Sequence, residues 1–96
     1  LRNIGRLRLA RVLISLQDYE GAITLLDQLE SGSGQDAVLA ELRGDIHSLR
    51  GEMQQAVDAY QIALTMMAQE NPGRNLVQQK YDHAAALAVP AGDTAQ

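Results

Sequence analysis

The feature that most constrains this chain is a repeat. Residues 18–29, DYEGAITLLDQL, align with residues 52–63, EMQQAVDAYQIA, at a constant offset of 34. Ala22 falls on Ala56, Ile23 on Val57 and Leu26 on Tyr60, and upstream Ala10 falls on Gly44. A fixed offset of this size means that one supersecondary unit is copied. Such a unit cannot bury both its faces alone and gains a core by stacking on its copy. The unit is helical. Met53, Ala56, Val57, Tyr60, Ala63, Leu64 and Met67 recur as i, i+3, i+4, i+7 neighbours, and no stretch alternates with period two.

Residues 2–17 are apolar at Ile4, Leu7, Leu9, Ala10, Val12, Leu13, Ile14 and Leu16. That is too much for one stripe and predicts a helix packed on two sides. A second helix follows over about 19–30, with Ala22, Leu25, Leu26 and Leu29 on one face. SGSG at 31–34 is a turn by composition. Ser33 and Asp36 stand as in a capping box, with Asp where Glu or Gln is usual. The third helix spans about 35–49 and Gly51 marks its end. The fourth spans about 53–69 and is stopped by Asn71-Pro72-Gly73. A fifth, about 74–88, carries Val77, Tyr81, Ala84 and Ala88 on one side, and 89–96 reads as a disordered tail.

The predicted architecture is therefore all-α: a right-handed stack of two helical hairpins (about 2–30 and 35–69) and a capping helix (about 74–88), one domain over 1–88. Small side chains let paired helices approach to about 8–10 Å. Ala10 against Ala22, and Gly44 against Ala56, fill that role, and Leu26 and Tyr60 one turn on pack between neighbouring hairpins. Gly21 has Gln55 as its counterpart and reads as incidental. In a first helical turn it costs at most about 1 kcal/mol.

Composition removes several function classes. The net charge is −4 and the basic cluster is confined to Arg2, Arg6, Arg8 and Arg11, which argues against a nucleic-acid surface. There is no cysteine, hence no disulfide, thiolate metal site or cysteine nucleophile. No apolar run is long enough to span a bilayer. The chain starts at Leu1, inside a helical pattern, and reads as part of a longer polypeptide.

Candidate chemistry is sparse. His47 and His83 lack converging ligands, so neither a metal nor another cofactor is implied. Asp45 and His47 diverge on a helix, and His47 reads as a partly buried, hydrogen-bonded residue. Asp27 with Glu30, and Glu41 with Asp45, are carboxylate pairs at helical spacing, which read as solvated faces rather than acid–base pairs. GDIHSLRG has no preceding strand and is no phosphate loop. Arg43-Gly44-Asp45 lies mid-helix, not at the loop tip that adhesion requires. A small hydrolase would need a nucleophile beside a base, and none is spaced for it. The arginines of the first helix either coat it in solvent or meet an anionic lipid or acidic partner.

The paired small residues Ala10/Gly44 and Ala22/Ala56, with the bulky pair Leu26/Tyr60, resemble the tetratricopeptide repeat family over about 4–69. GEMQQAVDAYQIAL is the closer match. The first repeat departs at Leu29, where a small residue is usual, and at Gly34, where Pro is usual. The second has Arg43 at an apolar position, which implies weaker packing of the third helix. A narrower resemblance rests on LRLARV at 7–12, LRGD at 42–45 and LVQQKYDHAA at 76–85. These are similar to the C-terminal part of YfgM-like ancillary SecYEG translocon subunits of Gram-negative bacteria. The long VPAGDTAQ ending departs from that family.

What the resemblance implies is a non-enzymatic binding module at the periplasmic face of the inner membrane. Its partners would be SecYEG, a PpiD-like chaperone and exported chains, and an upstream single-pass segment would anchor it. A generic tetratricopeptide adaptor of another envelope or cytoplasmic assembly is the alternative. In this family the first helices of successive hairpins line a concave groove. The matching positions are Ile4, Leu7, Arg11, Ile14 and Ser15 in the first helix, and Val38, Glu41, Asp45, Ser48 and Leu49 in the third. The fifth contributes Asn75, Gln79 and His83. Ile4, Leu7 and Ile14 read equally well as contacts to upstream repeats, and the open first-helix face as a homodimer surface.

Overall fold

The computed structural model describes residues 3–29 and 35–88. Five helices are found there: α1 (Asn3–Ser15), α2 (Tyr19–Asp27), α3 (Asp36–Leu49), α4 (Met53–Met66) and α5 (Arg74–Ala88), with no strand among the described residues. α1 pairs with α2, α3 with α4, and α5 lies along α4. The extents are 50 × 32 × 18 Å, the slab of a short stack rather than a ball. The tail 89–96 and the turn 31–34 lie outside the described residues.

The turns explain where the helices stop. α1 ends with the Gln17 N–H on the Ile14 carbonyl (2.9 Å) and the Asp18 N–H on the Leu13 carbonyl (2.8 Å). α3 ends the same way 34 residues later, with Gly51 on Ser48 (3.1 Å) and Glu52 on His47 (2.8 Å). Both are Schellman turns, which need a left-handed residue after the cap. Gly51 has φ +79° and Gln17 has φ +65°. α3 begins at an N-cap of Gln35 without a side-chain cap bond, and Ser33 of the expected Ser33/Asp36 box lies outside the described residues. α4 stops at Met66 because Met67 turns extended. The Asn71 side chain then accepts the Gly73 N–H at 2.8 Å before α5 begins.

α3 carries two faces and so joins two cores. Leu39, Leu42 and Ile46 meet Leu7 and Ala10 of α1, Ala22 and Leu26 of α2, and Leu29. Ala40, on its other side, meets Ala56, Tyr60, Ala63 and Leu64 of α4 with Val77 and Ala84 of α5. Leu26, Ile46 and Val77 are the largest fully buried side chains. Each contributes roughly 1.5–3 kcal/mol by leaving water.

Three expectations need correction. Among the described residues α1 is packed on one side only: Ile4, Leu9, Val12 and Leu16 are 39–70% exposed. Tyr60 packs toward α5, in one cluster with Val77 and Ala84, and also lies over Gly44 of its own hairpin, a contact the sequence did not suggest. A Cβ at Gly44 would come within 2.5 Å of the Tyr60 ring, so the side chain the glycine first makes room for is tyrosine, not the expected Ala56. Gly21 is not incidental. The Asp18 side chain accepts its N–H at 3.0 Å, and a Cβ there would meet the Asp18 carboxylate at 2.5 Å.

Candidate functional site

Glu41 and Asp45 stand one turn apart on α3, so both carboxylates leave the same face. That face meets Lys80, the chain's single lysine, from α5. The Lys80 Nζ lies 2.7 Å from Glu41 Oε2 and 3.1 Å from Asp45 Oδ1. The Tyr60 hydroxyl of α4 donates to Asp45 Oδ1 at 2.6 Å. The tyrosine reaches that oxygen because Gly44 lets its ring lie against the α3 backbone. Three helices thus meet in one polar node.

The node is half withdrawn from water, with the three charged side chains 18–29% exposed. Burial alone would push the Lys80 ammonium down. The bonds from Glu41 and the charge of Asp45 outweigh it and hold Lys80 above its ordinary value. Burial, then the bond to Asp45, raises the Tyr60 phenol far above its ordinary value. Charge-assisted bonds of this kind are the strong ones. The Glu41/Asp45 pair is therefore not the solvated face expected of it. Both carboxylates are occupied by Lys80, and the arrangement ties α5 to α3 rather than holding a substrate.

The other chemical candidates resolve in the same direction. His47 Nδ1 lies 2.8 Å from Glu52 Oε1 across the α3–α4 turn. This bond outweighs the upward push of burial and, with the nearby Arg50, holds the Glu52 carboxyl below its ordinary range. A hollow of about 170 Å³ beside His47 is lined by Ile23, Arg43 and Ile46, with no carboxylate among its described lining residues. Arg43 pairs with Asp27 at 2.9 Å and bridges α3 to α2, where the sequence suggested only a packing defect. At 39% and 59% exposure that pair is worth about 0–1 kcal/mol. All three residues of the Arg-Gly-Asp tripeptide are engaged inside the fold. Among the described residues no group of three or more His, Asp or Glu could hold a metal ion. No helix there is long and apolar enough to cross a membrane.

The groove positions divide. Leu7 is 5% exposed and belongs to the first core, and Ile14 and Val38 pack against it. Glu41 and Asp45 hold Lys80. Ser48 is half-buried with its hydroxyl 3.9 Å from Met53 Sδ. Ile4, Arg11, Ser15, Leu49, Asn75, Gln79 and His83 are exposed. The Ser15 hydroxyl donates to its own helix at Val12 O, 2.7 Å away. Lys80 and the Tyr60 hydroxyl are the residues that sequence reasoning missed. A lone lysine beside an otherwise uncharged α5 face was the available signal. A separate cleft of about 300 Å³ runs between α3 and α4, lined by Leu39, Ala40, Ala59, Ile62 and Met66 with Asp36 and Arg43 at its edge.

Comparison with known proteins agrees with this architecture. The family model of the tetratricopeptide repeat-like domain matches residues 1–86. Over 76 residues the chain is 34% identical to a protein of Neisseria gonorrhoeae (strain ATCC 700825 / FA 1090) named "Ancillary SecYEG translocon subunit". The match takes in 78% of this chain and 35% of that relative, so the chain spans about a third of the relative's length. No solved structure gives a significant match.

Proposed function

The chain belongs to the tetratricopeptide repeat-like family, and from that premise we propose that it is a non-enzymatic protein-binding module ancillary to the SecYEG translocon. It works at the periplasmic face of the inner membrane, beside a PpiD-like chaperone, and helps exported chains fold. The observation that carries the binding role is the Lys80 node. By tying α5 to α3 it supports a reading in which the first helices of the stack together present a concave face. Partner contact then falls to the exposed rim: Arg11, Ser15, Leu49, Gln79 and His83. A rim of mixed polar and apolar character suits tolerant recognition of extended chains. The translocon assignment rests on the gonococcal relative and on the resemblance of residues 7–12, 42–45 and 76–85.

The test is site-specific photocrosslinking in the native envelope. A crosslinker at Gln79 or His83 is expected to capture SecY or a PpiD-like chaperone, and one on the opposite side, at Gln61, is not. Capture of neither protein from either groove position sinks the translocon reading. Equal capture from Gln61 sinks the groove.

A further inference from the structure

α2 and α4 hold equivalent places in the two hairpins but differ in length. α2 has nine residues and α4 has fourteen, so the first hairpin stops about 7 Å short of the second. The sequence explains the difference. At the offset of 34, Ile62 and Met66 answer to Gln28 and Gly32, and the run Ser31-Gly32-Ser33-Gly34 is poor helix material. Ala59, Ile62 and Met66 stand at i, i+3 and i+7, on one stripe of α4. Ile62 and Met66 are 50% and 53% exposed. With Leu39 and Ala40 of α3 this stripe lines the cleft of about 300 Å³. The Arg43–Asp27 pair marks the edge at which α2 stops.

The cleft lies inside the stack, not at one of its ends. A helix added upstream stacks on α1 and α2, and one added downstream on α5, so neither reaches the α3–α4 seam. The segments that follow α2 and α5 bring little to fill it. Residues 30–34, ESGSG, have no apolar side chain. α5 runs back along α4, with Lys80 level with Asp45 and Tyr60. Ala88, where α5 ends, therefore lies about 20 Å along α4 from Met66. Val89 and Pro90, the bulkiest apolar residues of the ending, follow it directly. The rim is acidic. Asp27, Asp36 and Asp58 stand around the cleft against one guanidinium, that of Arg43, which Asp27 already holds. α4 itself contains no lysine or arginine.

We infer that this cleft docks a short cationic segment of a partner protein, which seats one bulky apolar side chain against Ala59, Ile62 and Met66 and turns Lys or Arg beside it to the rim carboxylates. Size and charge select the occupant. The gap left by α2 is about a turn and a half long, too little to hold a helix. Its volume of about 300 Å³ is at the lower end of ligand sites. The unbranched thioether of Met66 adapts to anchors of different shape. A second copy would bring a chain of net charge −4 with the same acidic rim, so like charges would meet. A segment of opposite sign is the match. The inference goes beyond the groove reading and does not rest on it. The cleft lies between α3 and α4, the groove along α1, α3 and α5, and either reading can fail alone.

The test uses fluorescence anisotropy with the 96-residue chain and three synthetic peptides of about eight residues, too short to form a helix alone. One carries a central Phe between lysines, one the same Phe between glutamates, and one a Ser between lysines. The lysine–Phe peptide is expected to bind roughly ten-fold tighter or better than either of the others, and its lead over the glutamate peptide to shrink as salt rises. Ile62→Gln/Met66→Gln should abolish the preference for Phe over Ser, and Asp58→Lys should weaken the preference for lysine. These side chains are exposed, so the variants are expected to keep wild-type helicity and thermal midpoint. Amide-shift mapping on the wild-type chain locates the site without any variant: Ala40, Ala59, Ile62 and Met66 should move, and Gln79 and His83 should not. Equal affinity for the lysine and glutamate peptides overturns the inference. Equal binding of the two lysine peptides, the mark of bare charge attraction, does so too, as does indifference to Ile62→Gln/Met66→Gln or a map confined to the groove. A dimer in sedimentation that Ile62→Gln/Met66→Gln dissolves would make a second copy the occupant and overturn it. A Met66→Cys thiol shielded from maleimide without any peptide would overturn it as well, by placing another part of the same polypeptide in the cleft.

Discussion

The two hairpins solve one packing problem with different residues at equivalent positions. In the first, Ala10 lies at the crossing and Leu26 fills the space beside it; in the second, Gly44 and Tyr60 do so. The first turn sets Gln17 left-handed where the second has Gly51. Asp18 caps α2 through its side chain, while Glu52 makes no cap bond and instead holds His47. The first pair is plain hydrocarbon packing. The second trades a methyl group for a phenol, and the phenol's hydroxyl leads into the ion pair that fastens α5. A repeat therefore conserves volume and backbone geometry, while the polar attachments vary with what each hairpin must hold next.

The comparison breaks most visibly at Gly44. Gly44→Ala is expected to cost about 1–3 kcal/mol, since the new Cβ would force the Tyr60 ring out of its place against α3. Combining it with Tyr60→Leu installs the first hairpin's pairing in the second. The double variant should lose less than the two single losses added together, as contacting residues do. Denaturant melts of the four proteins measure the coupling. Strict additivity would mean that Gly44 and Tyr60 do not make room for each other.

Next in size is Lys80→Met, which leaves Glu41 and Asp45 facing each other without a cation. Exposed pairs are worth about 0–1 kcal/mol and breaking a fully buried one costs about 3–5; this half-buried one should cost about 2 kcal/mol. The loss should appear as fraying of α5 in hydrogen exchange, with α1 and α2 unchanged. A pH dependence follows. Lys80 and Tyr60 both have raised values in the folded state, so the folded form holds more protons in that range. Their stabilisation is complete below the ordinary values of 10.5 and 10.0 and is lost as pH climbs through the folded ones. Tyr60→Phe and Lys80→Met should each flatten this alkaline fall. Glu52 works in the opposite sense: its contribution is present above the ordinary value of 4.5 and is lost as pH drops below it. Glu52→Gln should remove that acid-side loss.

The two turns can be exchanged. Gly51→Gln forces a side chain into the left-handed conformation and should cost about 1 kcal/mol; Gln17→Gly relieves the same strain and should gain somewhat less, because glycine also loosens the unfolded chain. Thermal midpoints of the two variants should move in opposite directions. Movement in the same direction would mean that the Gln17 side chain makes up for its backbone.

The helices and their pairing were legible because burial of an amphipathic repeat imposes its period on the sequence. The 34-residue offset, the small residues and the Gly51 stop all act within one or two turns of chain. What escaped acts at a distance or depends on register. Lys80 meets Glu41 and Asp45 from 39 and 35 residues away. No local pattern encodes that. Gly44 is legible as a close-approach position, but the sequence does not show that the Tyr60 ring is the side chain nearest to it. The apolar surplus of α1 was legible too, although the structure places it on an open side.

The smallest effect is at Gly21, and it tests the comparison most finely. Gly21→Ala gains up to about 1 kcal/mol of helix propensity. The new Cβ also pushes on the Asp18 carboxylate, and a lost N-cap costs about 1 kcal/mol. The two nearly cancel, so the single variant should shift stability by no more than ~0.5 kcal/mol. The Asp18→Ala background separates them. If Asp18 caps α2 only because residue 21 lacks a side chain, Asp18→Ala costs about 1 kcal/mol in the wild type and almost nothing beside Ala at 21. If the carboxylate simply tilts and keeps its bond to the residue 21 N–H, Asp18→Ala costs the same in both. Gln55→Ala in the second hairpin is the control. Glu52 makes no cap bond there, so its helix gain should be small and indifferent to Glu52→Ala.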